Sequence, residues 1–265
     1  MNSLKNKLEQ IYLKYNKFEL IHPDPLEFLY NYKNPQDQEI VGLIASSLAY
    51  GKVSQILAST KKILNVLGAS PKTFIQEEDL LFLKEALRNF KHRFTTGEEI
   101  VFLLMGIRKA LQKHDSLEKC FLSHSNNDIN YLSAITGFVS ELNYFFPNNK
   151  TYLIPSPENG SACKRLMLYF RWMARHDEVD PGCWRKVTPE KLIIPLDTHM
   201  YFISKKLVFT NRKSADMKTS LEITEAFRKI NKKDPVKYDF ALTRFGIRDD
   251  FEYHQLFDMV NRCSK

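Results

Sequence analysis

Apolar residues recur at helical spacing along almost the whole chain, and this periodicity constrains the fold more than any other feature of the sequence. In residues 3–16, for example, Leu4, Leu8, Ile11 and Tyr15 fall on one helical face. Convincing alternation of apolar and polar residues, which marks a half-buried strand, is missing from the sequence. The pattern therefore predicts an all-α protein. The predicted helices cover residues 3–16, 24–32, 34–51, 53–67, 77–90, 97–113, 127–145, 161–175, 198–208, 217–230, 235–245 and 253–262.

Composition and charge narrow the class of protein. The chain has 265 residues, of which 43% are hydrophobic, so it can bury a substantial core. The net charge is +8. Residues 151–265 hold 21 Lys and Arg against 15 Asp and Glu, whereas residues 1–150 hold 18 against 16. A basic surplus in one half suits a polyanionic partner such as nucleic acid, although it can also serve solubility alone.

Other patterns bear on location and redox state. No apolar run approaches the roughly 20 residues of a membrane helix, and no signal-peptide pattern opens the sequence. We therefore expect a cytoplasmic protein without a membrane partner. The cysteines Cys120, Cys163, Cys183 and Cys263 are scattered and include no Cys-x-x-Cys pair. That spacing predicts reduced thiols rather than structural disulfides.

The string Pro195-Leu196-Asp197-Thr198-His199 places an aspartate at the predicted start of a helix. An aspartate there usually caps the helix by accepting hydrogen bonds from first-turn amides. The same amides and the helix dipole hold a carboxylate in place and favour its charge. Such an anion can stabilise an oxocarbenium-like sugar, as carboxylates do in glycoside hydrolysis. Asp197 is therefore a candidate catalytic residue as well as a cap.

A second candidate, Lys164, stands in the first turn of an unusually apolar helix. Lys164, Leu168 and Trp172 share one face at intervals of four residues. A lysine in a first turn is most often solvated. Apolar neighbours and the positive end of the helix dipole nevertheless favour the neutral amine, which can attack C1′ of a nucleotide and form a Schiff base.

The string Pro195–His199 resembles the catalytic Asp motif of the helix-hairpin-helix (HhH-GPD) DNA glycosylase superfamily. The 33-residue interval from Lys164 to Asp197 resembles that of archaeal 8-oxoguanine glycosylases. Ser161–Leu166, Asp180–Trp184, Pro195–His199 and Asp234–Leu242 are similar to strings of a bacterial family without an assigned activity. The hairpin glycines before the lysine are mostly missing, and only Cys263 follows Asp197, so an iron–sulfur cluster of four cysteines cannot form there.

The resemblance implies one HhH-GPD-like unit over residues 1–265, with two lobes and a cleft between them. Lobe one spans roughly residues 35–147, and lobe two spans residues 150–265 together with the N-terminal helix. The implied function is base excision from damaged double-stranded DNA, for instance of an oxidised purine. Lys164 is then the nucleophile and Asp197 the charge stabiliser, with an AP-lyase step as an option. No cofactor, no metal and a monomeric state are expected.

Further residues are predicted to contact substrate or nucleic acid. Tyr50 is predicted to fill the gap that an extruded base leaves, although residues 45–52 also suit a plain helix end. Trp184 is predicted either to stack on the flipped base or to be a buried plug. His199 either orients Asp197 or packs near the core. The other predicted contacts, mainly to phosphate, are Lys52, Ser161, Arg165, Arg171, Arg212 and Lys213.

Two other functions fit the sequence. One is a helix-hairpin-helix protein that binds nucleic acid without cutting it, which the missing hairpin glycines favour. The other is a metal-dependent phosphohydrolase of the all-α histidine-aspartate type. Its pairs would be His114-Asp115 and His176-Asp177, with His92 and Asp197 as outer ligands. The spacing of these pairs gives that alternative little support.

Overall fold

The structure, a computed structural model, describes residues 2–261 and is mostly helical there, which confirms the all-α prediction. One hairpin joins the two-residue strands β1 (Lys91–His92) and β2 (Thr95–Thr96), with Lys91 opposite Thr96. The α-helices are α1 (Asn2–Tyr15), α2 (Pro35–Ser47), α3 (Val53–Leu67), α4 (Pro71–Glu77), α5 (Leu80–Leu87), α6 (Gly97–His114), α7 (Leu117–Ser123), α8 (Leu132–Leu142), α9 (Lys164–Ala174), α10 (Thr198–Lys206), α11 (Met217–Ile230), α12 (Asp239–Ile247) and α13 (Tyr253–Asn261). Short 3-10 helices lie at Phe18–Leu20, Pro25–Asn31, Asn143–Phe145, Pro147–Asn149, Pro157–Asn159 and Pro189–Lys191.

Local sequence signals set many helix ends. Helix α6 begins with a capping box, in which the Thr96 side chain accepts from the Glu99 amide and the Glu99 carboxylate accepts from the Thr96 amide. The same helix ends at Asp115, which is in the left-handed region with φ 71°. Helix α2 starts with Pro35 after the Asn34 cap, whose side chain accepts from the Gln36 amide. Short-range chemistry therefore fixes these boundaries.

Helix α9 runs through the core, and this position explains its apolar composition. Tyr169, Phe170 and Trp172 are each no more than 1% exposed. The helix packs along α2, where Gly42 permits the close approach. A Cβ atom at Gly42 would lie 2.8 Å from the Met173 Cε atom, closer than packed carbons tolerate. Trp172 is therefore part of the core.

The terminal helices pack together. Helix α1 contacts α12 and α13, and α12 also contacts α10. Helix α10 thus packs against α12, which in turn contacts α1 and α13 from the two ends of the chain. The division into two lobes stays a prediction.

Helices α4 and α7, the β1–β2 hairpin and several of the short 3-10 helices were not predicted. Helices α4 and α7 have seven residues each, which is shorter than the window over which helical periodicity shows. The hairpin strands are too short to display alternation. The predicted helix 127–145 begins at Leu132. The final residue of the predicted helix 253–262, and Cys263, lie outside the described residues.

The state of the cysteines and the hydropathy of the helices in the described residues agree with the predictions from the sequence. Cys120, Cys163 and Cys183 are free and buried, as expected for a chain without disulfides. Among residues 2–261, no helix has the length and the apolar character needed to cross a bilayer.

Candidate active-site cleft

Lys164 and Asp197, the two predicted catalytic residues, line the same cleft, whose volume is about 400 Å³. They also border a smaller chamber of about 40 Å³. The structure therefore brings the amine and the acid to one site. The other cleft residues are Pro23, Asp24, Pro25, Ala49, Tyr50, Gly51, Val53, Ile56, Leu168, Thr198, His199, Gly246 and Ile247.

Lys164 is the first residue of α9, and the residue before it is conformationally unusual. Cys163 lies in the left-handed region, with φ 47° and ψ 39°, which is uncommon for a residue with a side chain. This turn directs the chain into the helix. Lys164 is half-buried, and within residues 2–261 no carboxylate oxygen lies within 4.0 Å of its Nζ atom. Lys164 thus lines the cleft without an ion-pair partner among the described residues, and Asp197 lies beyond ion-pair distance from its Nζ atom.

Asp197 caps α10 as the sequence predicts. Its Oδ1 atom accepts a hydrogen bond of 2.8 Å from the Met200 amide. Within the described part of the chain, its Oδ2 atom accepts no hydrogen bond. One oxygen therefore fixes the carboxylate and the other stays available for the cleft.

His199, predicted either to orient Asp197 or to pack near the core, lines the cleft and pairs with a tyrosine. Its Nδ1 atom lies 2.7 Å from the Tyr253 hydroxyl. Burial, together with the charge of Asp197, raises the pKa of Tyr253. Gly246 makes room for the pair, because a Cβ atom there would lie 2.2 Å from both the His199 Nδ1 atom and the Tyr253 hydroxyl. The pair and the glycine shape the rim beside Asp197.

Buried ion pairs surround the smaller chamber. Arg171, predicted to contact phosphate, is 3% exposed and pairs with Asp239 and Asp180. Arg244 pairs with Asp24 at 3.1 Å. Burial raises the pKa of Asp239 to about 6 and lowers that of Arg244. The prediction for Arg171 is thus corrected: its guanidinium is committed to buried carboxylates, which organise the polar side of the site.

Arg165 is a second correction. Its guanidinium donates to the carbonyl oxygens of Ser47 and Tyr152. It also stacks between the rings of Tyr50 and Tyr152, with centroid distances of 4.8 and 4.6 Å. Burial lowers its pKa. Arg165 therefore fastens the start of α9 to the end of α2 instead of contacting phosphate.

Trp184 is a third correction, and of the two alternatives the buried plug is the one found. The indole is 3% exposed and donates a hydrogen bond of 2.8 Å from its Nε1 atom to the Glu39 carboxylate. Glu39 also accepts from the amides of Leu117 and Glu118 at the start of α7. The net effect, dominated by burial, raises the pKa of Glu39 to about 7. Trp184 does not border the cleft.

Tyr50 does line the cleft, at its junction with the β1–β2 hairpin. Its hydroxyl donates to the His92 carbonyl at 2.9 Å and lies 2.8 Å from the Thr95 hydroxyl. Gly51 follows with φ 96°, and a Cβ atom there would lie 2.8 Å from the Arg93 side chain. The turn thus needs glycine to let the hairpin approach. Lys52 is exposed next to it.

The remaining predicted contacts lie outside the cleft lining. Ser161 is exposed and forms an isolated bridge with Asp216. Arg212 pairs with that aspartate at 2.9 Å, and Lys213 is exposed. Ser161 and Arg212 thus both contact Asp216, and neither they nor Lys213 line the cleft.

Sequence reasoning missed several residues of the site. Asp24 was interpreted only as a helix start, and Gly246 and Tyr253 carried no signal at short range. Phe94 was not predicted to have a function, yet its ring is 71% exposed and lies 6.4 Å from that of Tyr152. An apolar residue that directly follows the basic residues Lys91 and Arg93 was the signal that could have found it.

The histidine-aspartate metal site does not form. Within residues 2–261, the group of three or more potential metal ligands in mutual reach consists of His114, Cys120 and Glu141. His176 instead contacts the Pro181 carbonyl, and both nitrogens of His92 have protein partners. The predicted histidine-aspartate pairs therefore do not assemble around one ion.

Comparison with known proteins identifies a family for this chain but no individual relative. Neither the curated proteins nor the solved structures contain a match to this chain. A family model described as "Protein of unknown function (DUF2400)" matches residues 24–248, which include Lys164, Asp197 and all the residues of the cleft except Pro23. The match covers most of the chain, and the protein belongs to the DUF2400 family.

Proposed function

We propose that this protein is a base-excision DNA glycosylase with an associated lyase step. The observation that carries the proposal is that Lys164 and Asp197 line one cleft. An amine and a carboxylate are the two groups that such a reaction needs. The HhH-GPD arrangement in two lobes is part of the same proposal.

The proposed chemistry follows from the two side chains. The neutral Lys164 amine attacks C1′ of the extruded nucleotide, a C1′–N bond forms, and the bond from C1′ to the base breaks. The base leaves with the electron pair and takes up a proton. The Asp197 carboxylate stabilises the positive charge that develops on the sugar. Opening of the sugar ring gives a Schiff base, from which β-elimination expels the 3′ phosphate.

The size and lining of the cleft support an extruded base as the ligand. A volume of about 400 Å³ falls in the ordinary range for small-molecule sites. Val53, Ile56 and Leu168 offer apolar contacts for a planar ring, whereas Asp197 and Thr198 offer polar atoms for its edge. We propose an oxidised purine as the lesion, in keeping with the resemblance to 8-oxoguanine glycosylases.

The surroundings of the cleft support duplex DNA as the partner. Phe94 is exposed at the tip of the hairpin, and the Arg93 guanidinium lies 5.5 Å from its ring centroid. Tyr50 links the hairpin to the cleft. An exposed apolar side chain next to a basic residue is typical of proteins that wedge into a base step. We propose that Phe94 enters the duplex while Tyr50 occupies the space of the extruded base.

Borohydride trapping tests the proposal. The wild-type chain is incubated with duplexes that carry single lesions, including 8-oxoguanine and an abasic site, and borohydride reduces any Schiff base to a stable crosslink. We expect a crosslink with wild type and none with Lys164→Gln. Lys84→Gln, which alters an exposed lysine of α5, is the matched control and should crosslink normally.

A negative result is informative when binding is measured alongside. If wild type binds the duplexes but no lesion gives a crosslink or a released base, while a known bifunctional glycosylase crosslinks, the enzyme proposal is wrong. Binding that persists in Asp197→Asn and falls steeply with salt would then identify the non-catalytic nucleic-acid-binding alternative.

A further inference from the structure

Four side chains of metal-binding type meet where helices α6, α7 and α8 come together, outside the cleft. His114 is the last residue of α6, Cys120 lies in α7, His124 follows α7, and Glu141 lies in α8. These four residues are called the helix-end cluster below. The proposed base excision makes no use of them.

The distances within the helix-end cluster suit a single ion. The His114 Nε2 atom lies 3.1 Å from both carboxylate oxygens of Glu141, and the His124 Nε2 atom lies 2.9 Å from Oε1. The ligand atoms of His114, Cys120 and Glu141 all lie within 4.8 Å of one another. Around a tetrahedral zinc ion, neighbouring ligand atoms are about 3.3–3.8 Å apart, given bonds of about 2.0–2.3 Å. Shifts of about 1 Å would therefore bring His114, Cys120 and Glu141 to this geometry, and the His124 ring, which contacts Glu141, would turn to supply the fourth ligand.

The backbone supports this convergence. Asp115 takes a left-handed conformation directly after His114, so the chain turns back at once into α7. Gly137 lets the His124 ring lie against α8, because a Cβ atom there would be 2.5 Å from the ring. The Cys120 side chain is fully buried, whereas His124 is 29% exposed in its side chain. The cluster thus has a buried thiol and an opening to solvent.

We propose that the helix-end cluster binds one zinc ion through two imidazole nitrogens, one carboxylate oxygen and one thiolate. This ligand set matches the preference of zinc for nitrogen and sulfur donors. Four protein ligands leave no open position, so the ion has a structural role and ties together the ends of three helices. Binding releases the Cys120 thiol proton, and each histidine binds as a neutral imidazole through an Nε2 atom without a proton, with its proton on Nδ1.

Substitution of Lys113 distinguishes a zinc site from an ion-pair cluster without metal. Its Nζ atom lies 2.9 Å from the Glu141 Oε1 atom, while its side chain is 58% exposed. In the zinc-bound state the ammonium swings into solvent, because the ion takes over the charge of the carboxylate. If the cluster is instead a network of ion pairs without metal, it needs the positive charge of this lysine. Lys113→Gln should therefore raise zinc affinity if the site binds metal, and weaken the cluster if it does not.

The experiment uses the full-length chain without a histidine tag. We expect one zinc per chain by elemental analysis, a fall in Tm with a chelator, and a thiolate-to-metal absorption band when cobalt replaces zinc. Cys120→Ser should remove that band. His124→Asn, a change at a partly exposed position, should lower zinc affinity by more than about tenfold. Cys183→Ser, which alters a buried cysteine outside the cluster, should keep both the cobalt absorption band and the zinc affinity.

The opposite results would overturn the proposal. These are metal-free protein whose Tm does not rise on addition of zinc, or a cobalt band that survives Cys120→Ser. A loss of stability in Lys113→Gln without any gain in zinc affinity would likewise show that the cluster is an ion-pair network. None of these measurements depends on glycosylase activity, so the two proposals fail separately.

Discussion

Lys164 and Asp197, which are 33 positions apart in the chain, both border the main cleft and the smaller chamber beside it. Each stands at the start of a helix, Lys164 as the first residue of α9 and Asp197 as the cap of α10. The short-range signals that begin these two helices thus bring an amine and a carboxylate to one cleft.

Replacement of the acid should separate catalysis from binding. In Asp197→Asn the amide oxygen can still cap α10, so the fold persists, but no negative charge faces the sugar. We expect base release to fall by about a hundredfold or more, the loss of one well-placed electrostatic contact. Duplex affinity should change by less than about tenfold. Single-turnover base release and fluorescence anisotropy measure the two quantities, and equal base release by variant and wild type would refute the role.

The exposed aromatic at the hairpin tip should contribute to duplex binding. We expect Phe94→Ala to weaken binding about tenfold, because an aromatic that stacks on a base contributes about 1–3 kcal/mol. Phe82→Ala, which alters a half-exposed phenylalanine of α5, is the matched control and should leave affinity unchanged. Titrations of each variant with duplex DNA at a fixed salt concentration compare the two affinities. Similar losses in both variants would mean that Phe94 has no specific contact.

Gly246 should resist substitution although it lies in a helix. Alanine there would gain about 1 kcal/mol of helix propensity, but its Cβ atom would meet both His199 and Tyr253 at 2.2 Å. Overpacking of this kind typically costs about 1–3 kcal/mol. We therefore expect Gly246→Ala to lower the free energy of unfolding and to displace His199. Urea denaturation measures the change, and a second variant, Gly246→Ala with Tyr253→Phe, should recover part of the loss.

Glu39 should make stability depend on pH. Its pKa is raised to about 7 in the folded protein, from an ordinary value of 4.5. Between pH 4.5 and 7, the folded state therefore retains a proton on Glu39 that the unfolded state has already released. The free energy of unfolding falls as pH rises through that window. The full contribution is on the order of 3 kcal/mol.

A comparison with Glu39→Gln isolates this group from all other titrations. Unfolding free energies of both proteins are measured in urea at pH 5 and pH 7.5. Wild type should lose more stability than Glu39→Gln between the two values. Parallel changes in the two proteins would show that Glu39 is ionised in the folded state across the whole range.

Trp184→Phe tests the correction at that position. The phenylalanine cannot donate to Glu39, which loses the 2.8 Å hydrogen bond from the indole. The amides of Leu117 and Glu118 still satisfy the carboxylate, and the lost hydrogen bond itself contributes about 0.5–1.5 kcal/mol, so stability should fall. Duplex affinity should stay unchanged, because the indole does not border the cleft. A selective loss of binding to damaged DNA would restore Trp184 as a stacking residue.

Part of the site could be predicted from short stretches of sequence. The Asp197 cap and the first-turn position of Lys164 depend on residues within one helical turn, and the structure has both. Tyr50 and His199 were also predicted in the site and line the cleft. The hairpin with Phe94 at its tip was not predicted, because strands of two residues are too short to show an alternating pattern.

The all-α class, most of the helices and the positions of Lys164 and Asp197 at two helix starts can be predicted locally, because periodicity and capping act over a few neighbouring residues. Which charged and aromatic side chains are available to a ligand depends instead on the tertiary fold. Arg171 pairs with Asp239 across 68 positions, and Trp184 with Glu39 across 145. Such partners are fixed by the packing of distant helices, and burial with a partner is what turned predicted contacts into parts of the core.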